Sequence, residues 1–261
     1  MHFTKMEGLG NDYLYYFGAL DDPATWARKL SDRHFGIGAD GVITISPSTV
    51  ADFKMRIFNA DGSEAKMCGN GIRCVGKYVY DKGHTRKTEL TVETLSGVRK
   101  LRLVVDGGKA VAATVDMGVV TVGAAEDFAV CGRRVSAIPV SVGNPHAVIF
   151  VSDASAAPVD SVGPALEHHE RFPEGVNVEF VEVTGPTSLR MRVWERGSGI
   201  TMACGTGACA SAAAAVKAGC CPADTDLSVT LDGGVLHIRI LSDGTAMMTG
   251  PATTICECDV T

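Results

Sequence analysis

Several things are scarce in this sequence, and each scarcity excludes a class of function. Positive charge is in deficit: 24 Lys and Arg stand against 30 Asp and Glu, a net charge of −6. A protein that grips a nucleic-acid backbone needs a basic face. No local basic stripe offsets the balance, so no nucleic-acid partner is expected. No apolar run reaches about 18 residues, so no membrane span and no membrane partner are expected. Met1-His2-Phe3-Thr4-Lys5 lacks the apolar stretch of a secretory signal, and the expected location is cytoplasmic. No segment is of low complexity, and no linker is long enough to be disordered. A chain of 261 residues can form one large domain or two of roughly 130, each with its own core.

Cysteine, by contrast, is plentiful. There are nine, an odd number. In a chain of this length without a secretory signal, reduced thiols are the default. A cysteine is ordinarily a small buried hydrophobe, and that reading suits Cys74, Cys131, Cys209, Cys220, Cys221, Cys256 and Cys258. A zinc site is not expected. Cys256-x-Cys258 and Cys220-Cys221 lack the usual ligand spacing and clear histidine partners.

The other two cysteines belong to a pattern. Cys68-Gly69-Asn70-Gly71-Ile72-Arg73-Cys74 is echoed by Cys204-Gly205-Thr206-Gly207-Ala208-Cys209, at an offset of 204 − 68 = 136. The same offset relates Lys54 to Asn59 with Arg190 to Glu195, and Thr94 to Gly97 with Thr230 to Gly233. Gly10-Asn11 and Gly143-Asn144 match at 133, and Asp106-Gly107 and Asp243-Gly244 at 137. A period this long marks a duplicated domain, since solenoid repeats run about 20–50 residues. The expected division is residues 1–114, with a C-terminal return segment 249–261, as the first domain, and 115–248 as the second.

Alternation at Phe53, Met55, Ile57 and at Leu236, Ile238, Ile240 predicts half-buried strands. Pro23 to Arg33 predicts a helix with Asp21 or Asp22 as its cap. Thr91 to Val105 predicts two strands joined at Ser96-Gly97, and Asp106-Gly107-Gly108 a hairpin turn. Ile72, Val75 and Val79 share one helix face, with Gly83 just past its end. Ala210 to Val216 has almost no polar face and should be buried all round. Residues 153–175 read as a polar helix-and-loop stretch, and Val176 to Phe180 as a strand. The expected fold class is α+β. It has two pseudo-symmetric domains, each a curved, mostly antiparallel sheet around a central helix, with the active site in the cleft between them.

A cysteine at a helix start meets free N–H groups and about half a positive charge, which lower its pKa. The glycines leave the amides of residues 69–71 and 205–207 open to an anion. Two such starts acting together would hold one carboxylate and put a sulfur on each side of the adjacent carbon. That suits inversion at an α-carbon: one thiolate removes the α-proton and the other cysteine, as a thiol, returns one to the opposite face. Preorganised N–H donors in a dry site would stabilise the carbanion, so no Schiff-base cofactor is required. Core packing or a disulfide between Cys68 and Cys204 are the competing explanations. Packing does not account for the recurrence, and a reducing compartment disfavours the disulfide. The polar set recurs too: Asn11 with Asn144, Asn59 with Glu195, Gly41 with Asn177. Asn in a Gly-rich turn is commonly only a turn former, Arg196 could be a surface ion pair rather than the partner of a second carboxylate, and His146 either caps a turn or tunes a thiolate.

Lys5-Met6-Glu7-Gly8-Leu9-Gly10-Asn11-Asp12, Asn59-Ala60-Asp61-Gly62-Ser63, Met67 to Gly71, Gly143-Asn144-Pro145-His146, Glu195-Arg196-Gly197 and Thr201 to Gly207, in order from Lys5 to Pro251, resemble the diaminopimelate epimerases. The resemblance implies an isomerase of amino-acid and lysine biosynthesis. It would interconvert LL- and meso-diaminopimelate without pyridoxal, also on the route to peptidoglycan, and form a homodimer. It implies Cys68 and Cys204 as the acid–base pair, and Gly69, Asn70, Gly205 and Thr206 as holders of the reacting carboxylate. Asn59, Asn144, Asn177 and Arg196 would bind the distal end, with Asn11 also on the substrate. Glu195 would touch the substrate and, with His146, tune the thiols. No metal is implied. Some members carry Gln where this chain has Gly41, and an interface aromatic about where it has Cys256. Other readings are a two-cysteine racemase for proline, hydroxyproline or histidine, or a non-catalytic amino-acid-binding or thiol-redox protein. Arg196 and the four Asn positions favour a substrate with a second charged end.

Overall fold

The structure, a computed structural model, describes residues 1–261. By internal contacts the chain divides into two compact units, Met1–Val115 with Thr249–Thr261, and Asp116–Met248.

The first unit opens with β1 (His2–Gly8) and β2 (Asn11–Phe17). These form an antiparallel hairpin turned at Leu9-Gly10, where both residues have positive φ. Helix α1 (Pro23–Ser31) follows, capped by the Asp22 carboxylate, with Pro23 in the first turn, where no N–H is missed. It ends two residues earlier than its pattern suggests, because Asp32 Oδ1 accepts the N–H groups of His34 and Phe35 at 2.7 Å and turns the chain. Then come β3 (Gly41–Pro47), β4 (Phe53–Asn59), β5 (Glu64–Ala65), α2 (Gly69–Asp81), β6 (Glu89–Thr94), β7 (Gly97–Asp106) and β8 (Lys109–Val119). Most pairings are antiparallel, but β2–β3 and β4–β6 are parallel. Each parallel step is bridged by a helix, as a parallel connection requires.

The second unit holds β9 (Thr121–Val122), β10 (Glu126–Val130), β11 (Arg133–Ser141), β12 (Pro145–Phe150), α3 (Val159–Glu167), β13 (Asn177–Gly185), β14 (Ser188–Glu195), β15 (Gly199–Ile200), α4 (Gly205–Lys217), β16 (Asp226–Leu231) and β17 (Gly234–Ile240), while β8 and β18 (Thr245–Pro251) each run from one unit into the next. From β11 to β17 it repeats the pairing of β1 to β7. β11–β12 is antiparallel, β12–β13 parallel, β13–β14 antiparallel, β14–β16 parallel and β16–β17 antiparallel. The duplication legible in the sequence is thus a duplication of topology. The last strand, β19 (Thr253–Asp259), pairs antiparallel with β1 in the first unit.

Each unit packs one helix on either side of its strands. In the first, Phe3, Leu14, Val42 and Phe58 form a core with Ala27 and Leu30 of α1. In the second, Ile149, Val178 and Phe180 do so with Val162 and Leu166 of α3. Helices α2 and α4 are the buried ones. Six alanines of α4 (Ala208, Ala210, Ala212, Ala213, Ala214 and Ala215) are buried, so the helix is thin and close-packed on every side. Both helices begin directly after a cysteine, and α4 starts at Gly205, five residues earlier than its alanine run alone indicates.

Candidate active site

Cys68 is the N-cap of α2 and Cys204 the N-cap of α4. Each has extended backbone angles, and each sulfur accepts the N–H three residues on, from Gly71 and Gly207, both at 3.3 Å. The thiol therefore does what Ser or Asp does at most helix starts. At Gly207 the glycine is sterically required. A Cβ on Gly207 would lie 2.8 Å from Glu179 Oε1 and 3.2 Å from the Cys204 sulfur.

In the first unit, Cys68 donates to Asn11 Oδ1 at 3.4 Å. Asn11 in turn donates from Nδ2 to Asp40 at 2.7 Å. Asp40 also accepts from the Asp12 N–H and from Arg33. Burial would raise the Asp12 carboxyl, but Arg33 and Lys5 outweigh it and hold it below its usual range. Gly69 and Asn70 form the first turn of α2, and both are buried. Asn70 Oδ1 accepts from Arg73 at 2.9 Å, and Arg73, fully buried, also reaches Gly69 O and Pro251 O at 3.1 Å. Asn59, at the end of β4, donates to Ser63 Oγ at 3.0 Å. Gly41 faces Asn59 across β3–β4, and a Cβ there would lie 2.1 Å from Phe58 O.

In the second unit one network collects most of the candidate residues. Cys204 is buried, with its sulfur 3.6 Å from Thr206 Oγ1. Thr206 accepts from Asn144 Nδ2 at 3.4 Å, and Asn144 Oδ1 meets His146 Nε2 at 3.1 Å. His146 Nδ1 meets Glu179 Oε1 at 2.6 Å, with both side chains out of solvent. Glu195 accepts from the Thr201 hydroxyl. Its carboxyl is pushed up by burial and by the negative Glu179, against the lowering effect of its bonds to Thr201 and Cys204. Asn177 is buried with its amide engaged on both sides, donating to Pro145 O and accepting the Arg196 N–H, each at 3.0 Å. The Arg196 side chain is exposed and donates to Glu174 O at 2.8 Å. Gly205 is buried in the first turn of α4.

One expectation fails here. A helix start should lower a thiol pKa, yet the Cys204 thiol is pushed well above its ordinary value. Burial is the main cause, followed by Glu195 and Glu179; the Thr206 hydroxyl and the Gly207 N–H pull only partly back. Half a charge of helix dipole cannot outweigh desolvation plus two carboxylates. Cys204 therefore holds its proton at neutral pH.

Three acidic residues of these networks escaped the sequence reading. Asp40 sits in a Gly-rich loop that looks like a turn. Glu179 lies in the apolar strand β13, where a lone carboxylate between Val178 and Phe180 was itself a signal. Glu167, from α3, accepts from Trp194 Nε1 at 2.7 Å and the Gly197 N–H at 2.8 Å, anchoring the turn that carries Glu195 and Arg196.

A family model described as diaminopimelate epimerase matches residues 3–123 and 138–255. The chain belongs to the diaminopimelate epimerase family. It is 48% identical over 277 residues to the diaminopimelate epimerase of Acetivibrio thermocellus, covering 100% of this chain and 98% of that one. It is 51% identical to that of Phocaeicola vulgatus, covering 99% and 97%. Among solved structures, a "predicted epimerase" from Pseudomonas aeruginosa shares the fold at a TM-score of 0.77 and 20% identity, covering 99% of this chain and 98% of that one. A probable proline racemase from Agrobacterium radiobacter, solved with bound carbonate, does so at 0.77 and 16%, covering 100% and 92%. Those two likenesses establish the fold alone. The position at which some diaminopimelate epimerases carry Gln has no room for a side chain here, because Phe58 O lies against Gly41.

Proposed function

We propose that this chain, an isomerase, converts LL-diaminopimelate to meso-diaminopimelate without pyridoxal, supplying lysine and peptidoglycan precursors. The identity of about half to diaminopimelate epimerases over the whole chain carries this reading. The recurrence of a cysteine N-cap at the start of the buried helix of each unit supports the mechanism.

In that mechanism one sulfur, as thiolate, takes the α-proton, and the other, as thiol, gives one to the opposite face. Each turnover leaves the two protonation states exchanged, so the pair titrates as one system. Cys204, held as a thiol at neutral pH, is the proton donor at rest, and Cys68 becomes the proton acceptor once it gives up the proton it holds towards Asn11 Oδ1. The N–H groups of Gly69, Asn70, Gly205 and Thr206 bind the reacting carboxylate and stabilise the charge that develops beside it. Asn11, Asn59, Asn144, Asn177, Glu195 and Arg196 recognise the rest of the substrate, the guanidinium of Arg196 pairing with the distal carboxylate. His146 and Glu195 tune the Cys204 sulfur. The protein works in the cytoplasm as a homodimer, and the exposed Ile255 on β19 supports burial of that strand against a second copy.

The test is proton NMR with LL-diaminopimelate in D₂O, no cofactor added, with proline and histidine in parallel. Loss of the α-proton signal and appearance of the meso form with diaminopimelate alone is expected. Cys68→Ala and Cys204→Ala each abolish it. Exchange with another amino acid instead would overturn the substrate, and full activity in either variant would overturn the two-base mechanism.

A further inference from the structure

Glu179 is out of solvent, and it lies in a strand that is otherwise apolar from Val178 to Val181. One of its oxygens, Oε1, meets His146 Nδ1 at 2.6 Å. The other, Oε2, is buried without a hydrogen-bond partner. A buried carboxylate oxygen left without a donor is costly for the fold, and such groups are kept where they serve a purpose. Packing does not explain it, since Glu179 also obliges Gly207 to remain a glycine.

From Glu179 a single file of hydrogen bonds leads to the sulfur: His146, Asn144, Thr206, Cys204. Each joint has a direction. His146 Nε2 faces Asn144 Oδ1 and Nδ1 faces a Glu179 carboxylate oxygen; both oxygens accept, so both ring nitrogens carry a proton. That turns Asn144 with its NH₂ towards Thr206, and Thr206 Oγ1 accepts from it. The hydroxyl proton of Thr206 cannot then point at Asn144 and is left for the sulfur 3.6 Å away. Were the imidazole free to rotate or to move its proton to Nδ1 alone, Asn144 would reverse. The Thr206 hydroxyl would then donate to Asn144 instead of to the sulfur.

We propose that Glu179 is a positioning residue of this site, holding His146, and through it Asn144, so that Thr206 keeps a hydroxyl proton for the Cys204 sulfur. The proposal rests on the reading that Cys204 is an acid–base group. When Cys204 has given its proton to the substrate, the thiolate left behind receives the Thr206 hydroxyl as well as the Gly207 N–H, so the charge is met by two fixed donors. The ionisable groups facing this sulfur are Glu179 from β13, Glu195 from β14 and His146 from β12. Removing the carboxylate of Glu179 removes one negative charge and leaves the other two groups in place.

The test compares Glu179→Leu with Glu179→Gln. Leucine removes both the bond to the ring and the charge; glutamine removes the charge and keeps a hydrogen bond to Nδ1. The Leu variant is expected to lose on the order of 100-fold in kcat, as a misaligned catalytic group does, with KM for diaminopimelate within about 2-fold. The Gln variant is expected to recover kcat to within about 10-fold of the parent, by restoring the hold on the ring. Alkylation of Cys204 in a Cys68→Ala background reads the sulfur without reference to turnover. Its pH midpoint should move down in the Gln variant, which loses a facing negative charge and keeps the Thr206 hydroxyl on the sulfur, and should lie higher in the Leu variant, which loses both. Unchanged kcat in the Leu variant, or a Gln variant as slow as Leu, overturns the positioning role. If no epimerisation is found in any form while the alkylation midpoint still shifts, the enzyme reading fails and the link from Glu179 to the sulfur survives. Should the Leu variant not fold, ¹⁵N NMR of the His146 ring in the unaltered protein decides: a protonated Nε2 is expected, and a bare Nε2 refutes the file of bonds.

Discussion

Alanine placed at Gly207 and at Gly71 makes one chemical change at equivalent points of two repeated helices, and the structure assigns the two changes different outcomes. By helix propensity alone, each substitution should stabilise by about 1 kcal/mol. At Gly71 the new methyl would meet the Cδ1 end of Ile43 at 2.7 Å, the Met55 methyl at 3.3 Å and Cys68 Cβ at 3.5 Å. The first two are ends of flexible chains that can turn aside, and the third is ordinary contact. At Gly207 the methyl would meet Glu179 Oε1 at 2.8 Å and the Cβ and Sγ of Cys204 at 3.2 Å. Glu179 has no solvent to retreat into and is tied to His146, so the Cys204 side chain must yield. Overpacking of this kind costs about 1–3 kcal/mol, which cancels or reverses the propensity gain. A displacement of a reacting sulfur approaching 1 Å costs about 100-fold in rate. Gly207→Ala should therefore lower kcat by about 100-fold, with stability unchanged or lowered by no more than about 2 kcal/mol. Gly71→Ala should lose less than about 10-fold, since the thiol it adjoins is not pushed. Deuterium incorporation from LL-diaminopimelate, with urea unfolding on the same samples, measures both quantities. Equal losses at the two glycines, or a Gly207→Ala enzyme of undiminished kcat, would refute the steric argument.

Arg196→Met should raise KM and lower kcat/KM for diaminopimelate through loss of the distal carboxylate contact; an unchanged kcat/KM would place that contact elsewhere. Arg73→Met should destabilise the fold by about 3–5 kcal/mol, because the buried carbonyls of Gly69 and Pro251 and the Asn70 amide oxygen lose their charged donor. Urea denaturation reads this, and a loss below about 1 kcal/mol would show that those acceptors find other partners. Stability should also fall at alkaline pH. Burial pushes the Cys74 thiol up to about 12 from an ordinary 9.0, so between those values the unfolded chain has lost a proton that the folded one keeps. Folding then stabilises the thiol fully below about pH 9 and less at each step above it. Cys74→Ala should flatten the fall of unfolding free energy between pH 9 and 11, and an unaltered slope would assign it to other groups.

Much of the fold could be read because its signals are local. The offset of 136 appears in the structure as two runs of strands and helices paired in the same senses. Cys68 and Cys204 precede helices because Gly-rich turns with a side-chain acceptor start helices wherever they occur. Other features could not be read. The parallel pairings β2–β3 and β12–β13 join short, continuously buried runs, whose pattern does not by itself say in which direction they pair. The strands from Thr121 to Ser141 alternate weakly and offered no pattern. Arg73 reads as a polar residue on a helix, yet it is fully buried, because three oxygens of the surrounding fold converge on it.

For chemistry the division is sharper. Residue types and spacing were enough to point to two cysteines at two helix starts, and the resemblance of the surrounding motifs pointed to the diaminopimelate epimerases. Only the tertiary structure decided in which form Cys204 rests. A helix dipole is a local property and can be inferred from a turn of glycines, whereas desolvation and the fields of Glu179 and Glu195 are sums over residues brought together from β13, β14 and α4. The opposite turns of two equivalent amides depend on tertiary contacts in the same way. Asn11 shows its oxygen to Cys68 because Asp40 takes its NH₂, and Asn144 shows its NH₂ to Thr206 because His146 takes its oxygen. An amide is symmetric in shape and not in charge, so its direction is set by the neighbours the fold supplies.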